Sequence, residues 1–150
     1  MGLTTALRRQ FRFEKHDDFM FVADQLLLNL GRMAGFPEPL RFDGRGCARL
    51  MFDDRLAVDL ECTTDTGCMQ VYTVLGTLPV EGREAFFLQL LEANLFVAET
   101  AGATLAVDGE TNEVVLCRTV ELDEIGDGAF VRLIERFVGA AEYWKSRLAP

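Results

Sequence analysis

Residues and motifs on which enzymes depend are scarce in this chain. Its 150 residues include a single histidine, His16, which lies in a charged stretch without a recognisable partner for acid–base chemistry. There is no G-x-S-x-G or H-E-x-x-H motif, and the glycine pair Gly44 and Gly46 lacks the Lys-Ser/Thr ending of a phosphate-binding loop. With no residue to carry a reaction, we expect the protein not to be an enzyme.

Long apolar runs and clustered positive charge are also lacking. No apolar run reaches the ~18 residues of a membrane span, and the N-terminus lacks the apolar core of a secretory signal. The net charge is −9, whereas binding to a nucleic-acid backbone requires clustered Lys and Arg. The basic run between residues 8 and 15 is interpreted as a solvated arm or helix face. We therefore expect a cytoplasmic protein that binds neither membranes nor nucleic acid.

The four cysteines, Cys47, Cys62, Cys68 and Cys117, include no C-x-x-C pair and no metal-ligand spacing. Cys62 and Cys117 fall in alternating strand patterns, where a thiol packs as a small hydrophobe. Cys62 and Cys68 flank a short turn and could face each other across a hairpin, which leaves a disulfide open. Because cytosolic thiols stay reduced, we expect four free thiols, no metal and no cofactor.

The apolar pattern predicts an α+β fold in which a twisted antiparallel sheet packs with helices, in the order α-β-β-β-α-β-β-α. The predicted helices run from Asp17 or Asp18 to about residue 35, over about residues 81–96, and from Asp123 or Asp127 to about residue 148. The predicted strands are residues 49–52, 55–62, 69–75, 103–107 and 114–120. Residues 1–16 are interpreted as an N-terminal extension and residues 17–150 as a single domain.

Apolar spacing also predicts which faces are buried. In the first helix the stripe comprises Phe19, Val22, Ala23, Leu26, Leu30 and Met33. In the last helix it comprises Phe130, Leu133, Ile134, Phe137, Ala141, Trp144 and Leu148. In the second strand Leu56, Val58, Leu60 and Cys62 alternate with Ala57, Asp59 and Glu61. We therefore expect a sheet that is buried on one face.

The second predicted helix has more apolar surface than one sheet can cover. Its apolar residues are Phe86, Phe87, Leu88, Leu90, Leu91, Ala93 and Leu95. At 100° per residue they spread over roughly 220°, whereas a helix that lies on one sheet needs a stripe of about 100°. The surplus requires a second buried surface, supplied either within the chain or by a second copy. We favour the second copy, since exposed contiguous apolar area mostly marks interfaces.

The second half of the chain resembles the class I type III secretion chaperones of the Tir chaperone family. The resemblance rests on LLEANLF at the end of the second helix, AGATLAVDGETNEVVLCRTVEL in the next two strands, and FVRLIERFVGAAEYWKSRLA in the last helix. The upstream segments GRMAGFPEPLRFDGRGCARLMFDDRLAVDLE and VLGTLP also fit the family. The resemblance covers the chain from about Asp17 to Ala149.

This resemblance implies a small acidic cytosolic homodimer that uses no ATP and has no catalytic activity. Its implied partners are secreted effector proteins, which are bound through a segment near their N-terminus and kept stable and competent for export. The second helix and the next strand are implied as the dimer contact, and the predicted residues are Phe87, Leu88, Leu91, Leu95, Ala103 and Leu105. The alternative is a regulatory or interaction domain of the same fold with a partner that is not an effector.

The effector is expected to bind by strand addition at a sheet edge or as an apolar segment in a groove. The candidate elements are the outer face of the first hairpin and the first helix. The predicted contact residues are Phe19, Val22, Leu26, Leu50 and Phe52, with the alternative that half of them are core. Residues 1–16 are interpreted as an added helical turn, a mobile arm or a segment that masks the binding surface.

Overall fold

The computed structural model of the chain describes residues 3–63 and 65–148, with side chains described from Asp18 onward. The helices are α1 (Leu3–Ala34), α2 (Arg83–Asn94) and α3 (Asp127–Leu148), and a 3-10 turn, Leu95–Val97, follows α2. The strands are β1 (Cys47–Phe52), β2 (Leu56–Thr63), β3 (Cys68–Thr77), β4 (Thr104–Asp108) and β5 (Glu113–Glu121). The predicted α+β order is confirmed, with the 3-10 turn added.

Helix α1 is longer than the sequence pattern predicted. It begins at Leu3, so the predicted start at Asp17 or Asp18 is wrong. The residues ahead of Asp17 contain neither Gly nor Pro after residue 2 and are rich in good helix formers, which outweigh a possible cap. The helix ends as predicted at Gly35, whose φ of 74° suits a C-terminal glycine. The division into residues 1–16 and 17–150 stays a prediction.

The five strands form one antiparallel sheet in the order β1-β2-β3-β5-β4. The turn between β1 and β2 is tight: the Arg55 N–H donates to the Phe52 carbonyl at 3.0 Å. Asp53 and Asp54 between them have φ values of 49° and 54°, and Asp tolerates this left-handed region better than most residues. Because β5 inserts between β3 and β4, the edge strands are β1 and β4.

The core lies between one face of the sheet and the helices. All six predicted α3 residues from Phe130 to Trp144 are buried, and Leu148 at the end is half-buried. Among the described side chains of α1, the buried apolar ones are Ala23, Leu26, Leu27 and Leu30. The predicted stripe was partly wrong, because Met33 is 69% exposed. At 100° per residue Leu27 lies about 40° from Ala23, whereas Met33 lies about 80° away on the other side.

The cysteines lie on both faces of the sheet. Cys62 is opposite Met69 on the buried face, whereas Cys68 is opposite Thr63 on the other face. Successive residues of a strand alternate between faces, so the disulfide left open by the sequence is not formed, and all four thiols are free. Over residues 3–63 and 65–148, no helix combines the length and apolar composition of a membrane span.

Candidate partner-binding surfaces

An exposed apolar surface covers one side of α2. Within this helix Leu90 and Ala93 are buried, whereas Leu88 is 56% and Leu91 67% exposed. At 100° per residue Leu91 lies about 60° from Leu88 and about 160° from Ala93, so exposed and buried apolar residues occupy opposite sides. We define the α2 surface as Phe87, Leu88, Leu91, Leu95 and Phe96. The described part of the chain leaves this apolar surface exposed to solvent.

The chain after α2 holds part of this surface in an unusual conformation. Phe96 and Val97 have φ values of 58° and 49°, which are uncommon for residues other than glycine. The segment is fixed from the core: the Trp144 indole N–H donates to the Glu99 carbonyl at 2.9 Å, and Thr100 Oγ1 donates to the Val97 carbonyl at 3.2 Å. Phe96, which is 87% exposed, therefore projects from an anchored segment. The predicted helix ended at about residue 96, and Phe96 was not among the apolar residues counted on it.

The other two predicted dimer residues lie inside the chain. Ala103 and Leu105 are 1% and 4% exposed, because both face the core at the β4 edge of the sheet. They are core residues of a single copy and are not part of the α2 surface. Of the six predicted residues, Phe87, Leu88 and Leu91 lie on α2, and Leu95 begins the 3-10 turn.

Strand β1 has unpaired backbone groups along its outer edge. The Cys62 N–H donates to the Gly46 carbonyl at 2.9 Å, and alternate residues of an antiparallel strand face the same neighbour. Even-numbered residues of β1 therefore face β2, and Arg49 and Met51 direct their N–H and C=O groups outward. Among the described residues, these outward groups make no hydrogen bond. An extended partner segment has a free edge at this position.

Asp43 closes the beginning of β1. Its Oδ1 accepts hydrogen bonds from the backbone N–H groups of Cys47 (3.0 Å) and Arg45 (2.8 Å), and its own N–H donates to the Cys47 carbonyl. The two hydrogen bonds accepted by Oδ1, chiefly the one from Cys47 and then the one from Arg45, lower the pKa of Asp43 because they stabilise its charged form. The free part of the β1 edge therefore begins after Cys47.

The face of the sheet away from the helices carries polar pairs. Arg49 Nε donates to Asp59 Oδ1 at 2.7 Å and Arg49 Nη2 donates to Asp59 Oδ2 at 2.9 Å. Next to them, Thr119 Oγ1 donates to Gln70 Oε1 at 2.9 Å. An exposed ion pair contributes little to stability, but this one directs the Arg49 side chain inward along the sheet. The backbone of β1 therefore stays uncovered.

An apolar groove lies beside the last residue of β1. Its volume is about 250 Å³, and α1, β1 and α3 all contribute to its lining. The lining residues are Leu30, Met33, Ala34, Phe52, Val131, Ile134, Glu135 and Val138. Phe52 is oriented by an edge-to-face contact with Phe36, whose ring centroid is 5.8 Å away. The groove can receive an apolar side chain from a segment that follows β1.

The five predicted effector-contact residues divide between surface and core. Phe52 lines the groove, and Phe19 and Val22 are half-buried. Leu26 and Leu50 are 3% and 1% exposed because both face the core. The prediction that these two residues contact the effector directly is therefore wrong. They belong to the core, as the alternative stated for part of the set. Periodicity identifies an apolar face but does not distinguish its centre from its rim.

Sequence reasoning also missed a polar contact at the end of α2. Asn94 Oδ1 accepts the Leu105 N–H at 2.8 Å, and Asn94 Nδ2 donates to the Leu105 carbonyl at 3.0 Å. Both bonds join the helix to the edge strand β4. The available signal was one amide side chain within the apolar run LLEANLFV, since a buried amide requires partners.

Residues 25–145 match the model of the Tir chaperone protein (CesT) family. The chain belongs to this family. The match includes all five strands, α2 and most of α3, so the resemblance inferred from the sequence is confirmed. A Chlamydia pneumoniae protein, CPj0713/CpB0740, is 32% identical over 126 residues, which span 83% of this chain and 95% of that protein.

Solved structures share the fold. The ExsC–ExsE complex contains a chain with a TM-score of 0.71 and 22% identity, which covers 87% of this chain and 96% of its own. The Yersinia pestis type III secretion chaperone SycH, solved with a fragment of YscM2, has a TM-score of 0.63 and 16% identity, with 81% and 98% coverage. A chain of the HopA1–SchA chaperone–effector complex has a TM-score of 0.68 and 17% identity, and the match covers 83% of this chain and 94% of that chain. At these identities the agreement concerns the fold.

Proposed function

We propose that this protein is a cytoplasmic, ATP-independent chaperone of type III secretion. It binds a segment near the N-terminus of one or a few secreted effectors and keeps them stable and competent for export. The observation that carries the proposal is an open β1 edge beside an apolar groove, in a chain that belongs to a chaperone family. The protein acts by binding and catalyses no reaction.

The β1 edge and the groove suit two successive parts of one extended segment. Backbone groups of the segment pair with Arg49 and Met51, which supplies affinity that is independent of its sequence. An apolar side chain beyond that point enters the groove between Phe52, Met33 and Val138. Leu26 and Leu50 support this surface from the core side. A partner that becomes ordered on binding loses conformational entropy, and the apolar area buried in the groove offsets part of that loss.

The α2 surface is proposed as the contact with a second copy of the chain. Its residues form one contiguous apolar area, and a self-complementary contact of this kind joins identical subunits about a two-fold axis. Burial of Leu88, Leu91 and Leu95 against their equivalents removes that area from water. The protein is therefore proposed to be a homodimer, with an effector site on each copy.

Capture of the natural partner tests the proposed function. The chain is expressed in its native host with an affinity tag, and co-purifying proteins are identified by mass spectrometry. We expect one or a few secreted proteins, bound through roughly the first hundred residues, a length consistent with a segment that becomes ordered over a large surface. Recovery of an intracellular regulator instead would support the alternative of a regulatory domain.

A matched pair of substitutions on α1 tests the location of the site. Met33 lines the groove and Phe21 does not, yet their exposures are similar, 69% and 65%. Met33→Glu is expected to abolish capture of the partner, because it places a carboxylate where an apolar side chain binds. Phe21→Glu is the control and is expected to retain capture. The opposite result would place the site on the other side of α1.

A further inference from the structure

Strand β4 is the second edge of the sheet, and the outward backbone groups at its centre are occupied. Leu105 forms one hydrogen bond through its N–H and one through its carbonyl with the side chain of Asn94, at 2.8 and 3.0 Å. A residue in an antiparallel ladder directs both backbone groups to the same side. Leu105 therefore directs its groups away from β5, and the Asn94 amide occupies the place of a neighbouring strand.

The two edges of the sheet differ in what they leave open. Just before β4 the Ala103 N–H donates to the Thr100 carbonyl at 3.0 Å. Within β4, Leu105 is bound by Asn94, and Val107 follows near the strand end. On β1 both Arg49 and Met51 are open. Unpaired groups along an edge are a template for strands of other chains. The structure thus presents one usable edge and one that a single side chain interrupts.

We propose that Asn94 is a specificity-determining residue for association. By occupying Leu105 it prevents a strand of another chain from joining the sheet at β4, so that β1 is the edge where a partner strand is added. An antiparallel pair of β4 strands is self-complementary about a two-fold axis, so the strand that would pair with an opened β4 is β4 of another copy. Such pairing would be additional to the proposed α2 contact, and it would therefore join dimers into larger species.

Amide exchange and mass of the full-length protein test this role without any effector. In Asn94→Leu the Leu105 N–H loses its acceptor, and we expect its hydrogen exchange, followed by NMR, to accelerate about tenfold, the effect of one typical hydrogen bond. Sedimentation is expected to show species larger than those of the wild type, in a concentration-dependent manner. Gln89→Leu removes an amide from the same helix that does not take part in the hydrogen bonds to Leu105, and it should change neither measurement.

A second substitution identifies the surface that causes the larger species. Val107→Pro removes the remaining outward N–H of β4, at an edge position where proline is tolerated. In the Asn94→Leu background it is expected to restore the wild-type mass. Larger species that persist in the double variant, or a folded Asn94→Leu with unchanged Leu105 exchange, would overturn the proposal.

Asn94→Ala covers the case in which Asn94→Leu does not fold. The shorter side chain reaches neither backbone group of Leu105, so the edge is open. We expect Leu105 exchange to accelerate and larger species to form, whereas an unchanged mass would overturn the proposal. The wild-type mass is a separate result: a monomeric wild type contradicts the proposed dimer and leaves the role of Asn94 to be decided by the variants.

Discussion

At the scale of single residues, the contact between Phe19 and Gly67 joins α1 to the sheet. A side-chain carbon built on Gly67 would lie 2.6 Å from Phe19 Cζ, closer than any real contact allows. Gly67 also has a φ of 69°, which residues with a side chain adopt at a cost. The half-buried Phe19 thus packs over the β2–β3 turn at a distance that only a glycine at position 67 allows. This predicted contact residue therefore has a structural role.

Gly67→Ala is expected to lower the free energy of unfolding by about 2 to 4 kcal/mol, as the sum of left-handed strain and overpacking. The measurement is urea unfolding followed by circular dichroism. Gly35→Ala is the matched control, because Gly35 has a φ of 74° and no atom within 4 Å of the added carbon. It should lose about 1 kcal/mol. Equal losses in the two variants would show that Phe19 moves away freely.

The buried thiol of Cys62 should be unreactive in the folded protein. Burial first, then the nearby Asp24 and Cys47, raise its pKa to about 12. The thiol form is therefore favoured in the folded state, and its contribution to stability is present below the ordinary thiol pKa of about 8.5 and lost as the pH rises toward 12. We expect iodoacetamide at about pH 8.5 to modify Cys62 only after denaturation, as measured by peptide mass spectrometry. Rapid modification of Cys62 in native protein would contradict this.

Hydrogen bonds between side chains and the backbone of other elements, and left-handed residues, were the least predictable features of the site. The pairing of Asn94 with Leu105 joins residues of two different elements, and its geometry depends on how α2 lies against β4. The left-handed Val97 is a second example, because a β-branched residue is a poor candidate for that conformation from sequence. Contacts from Trp144 and Thr100 hold it, and these exist only in the folded chain.

At the scale of elements, α2 carries the test of the proposed dimer. Leu91→Glu places a carboxylate in the middle of the α2 surface, and burial of two such charges near a two-fold axis should cost about 3 kcal/mol or more. We expect monomers in light scattering at tens of micromolar and weaker capture of the effector. Since Leu91 is 67% exposed in one copy, the unfolding free energy of the monomer should change by less than about 0.5 kcal/mol.

Ala85→Glu is the control for this experiment. Ala85 is exposed in the first turn of α2 and lies outside the α2 surface, and a carboxylate near a helix N-terminus is favourable. This variant should keep the mass of the wild type. A wild type that is monomeric at tens of micromolar would contradict the dimer. Unfolding of Leu91→Glu without a monomeric state would instead assign Leu91 to the core.

Elements themselves were largely predictable, because periodicity reports which faces are apolar. The excess apolar arc of α2 was visible in the sequence, and so was the buried stripe of α3. The start of α1 was not, because Asp17 and Asp18 form a capping signal that is equally compatible with a helix interior. Leu26 and Leu50 are buried because neighbouring elements pack against the parts of α1 and β1 where they lie. The apolar pattern of one element does not show which part of its apolar face a neighbour covers.

At the scale of the whole molecule, the acidic surface is expected to influence the rate of encounter more than the affinity. Binding through backbone and apolar contacts releases few ions, so we expect the Kd for a captured effector segment to change by less than about tenfold between about 50 and 200 mM salt, against about 10³-fold or more for a nucleic-acid binder. Titration calorimetry measures this directly. A thousandfold change would contradict the groove-and-edge mode of binding.

The order of strands in the sheet has a consequence for the length of the cargo. Three strands separate β1 from β4, so at about 4.8 Å per strand the two edges lie roughly 19 Å apart. In the proposed dimer, copies joined through α2, which contacts β4, would place their β1 edges roughly 40 Å or more apart. An extended chain advances about 3.3 Å per residue. A single cargo segment that engages both β1 edges therefore needs more than about 12 residues between its two anchoring points, and shorter segments can occupy one copy at a time.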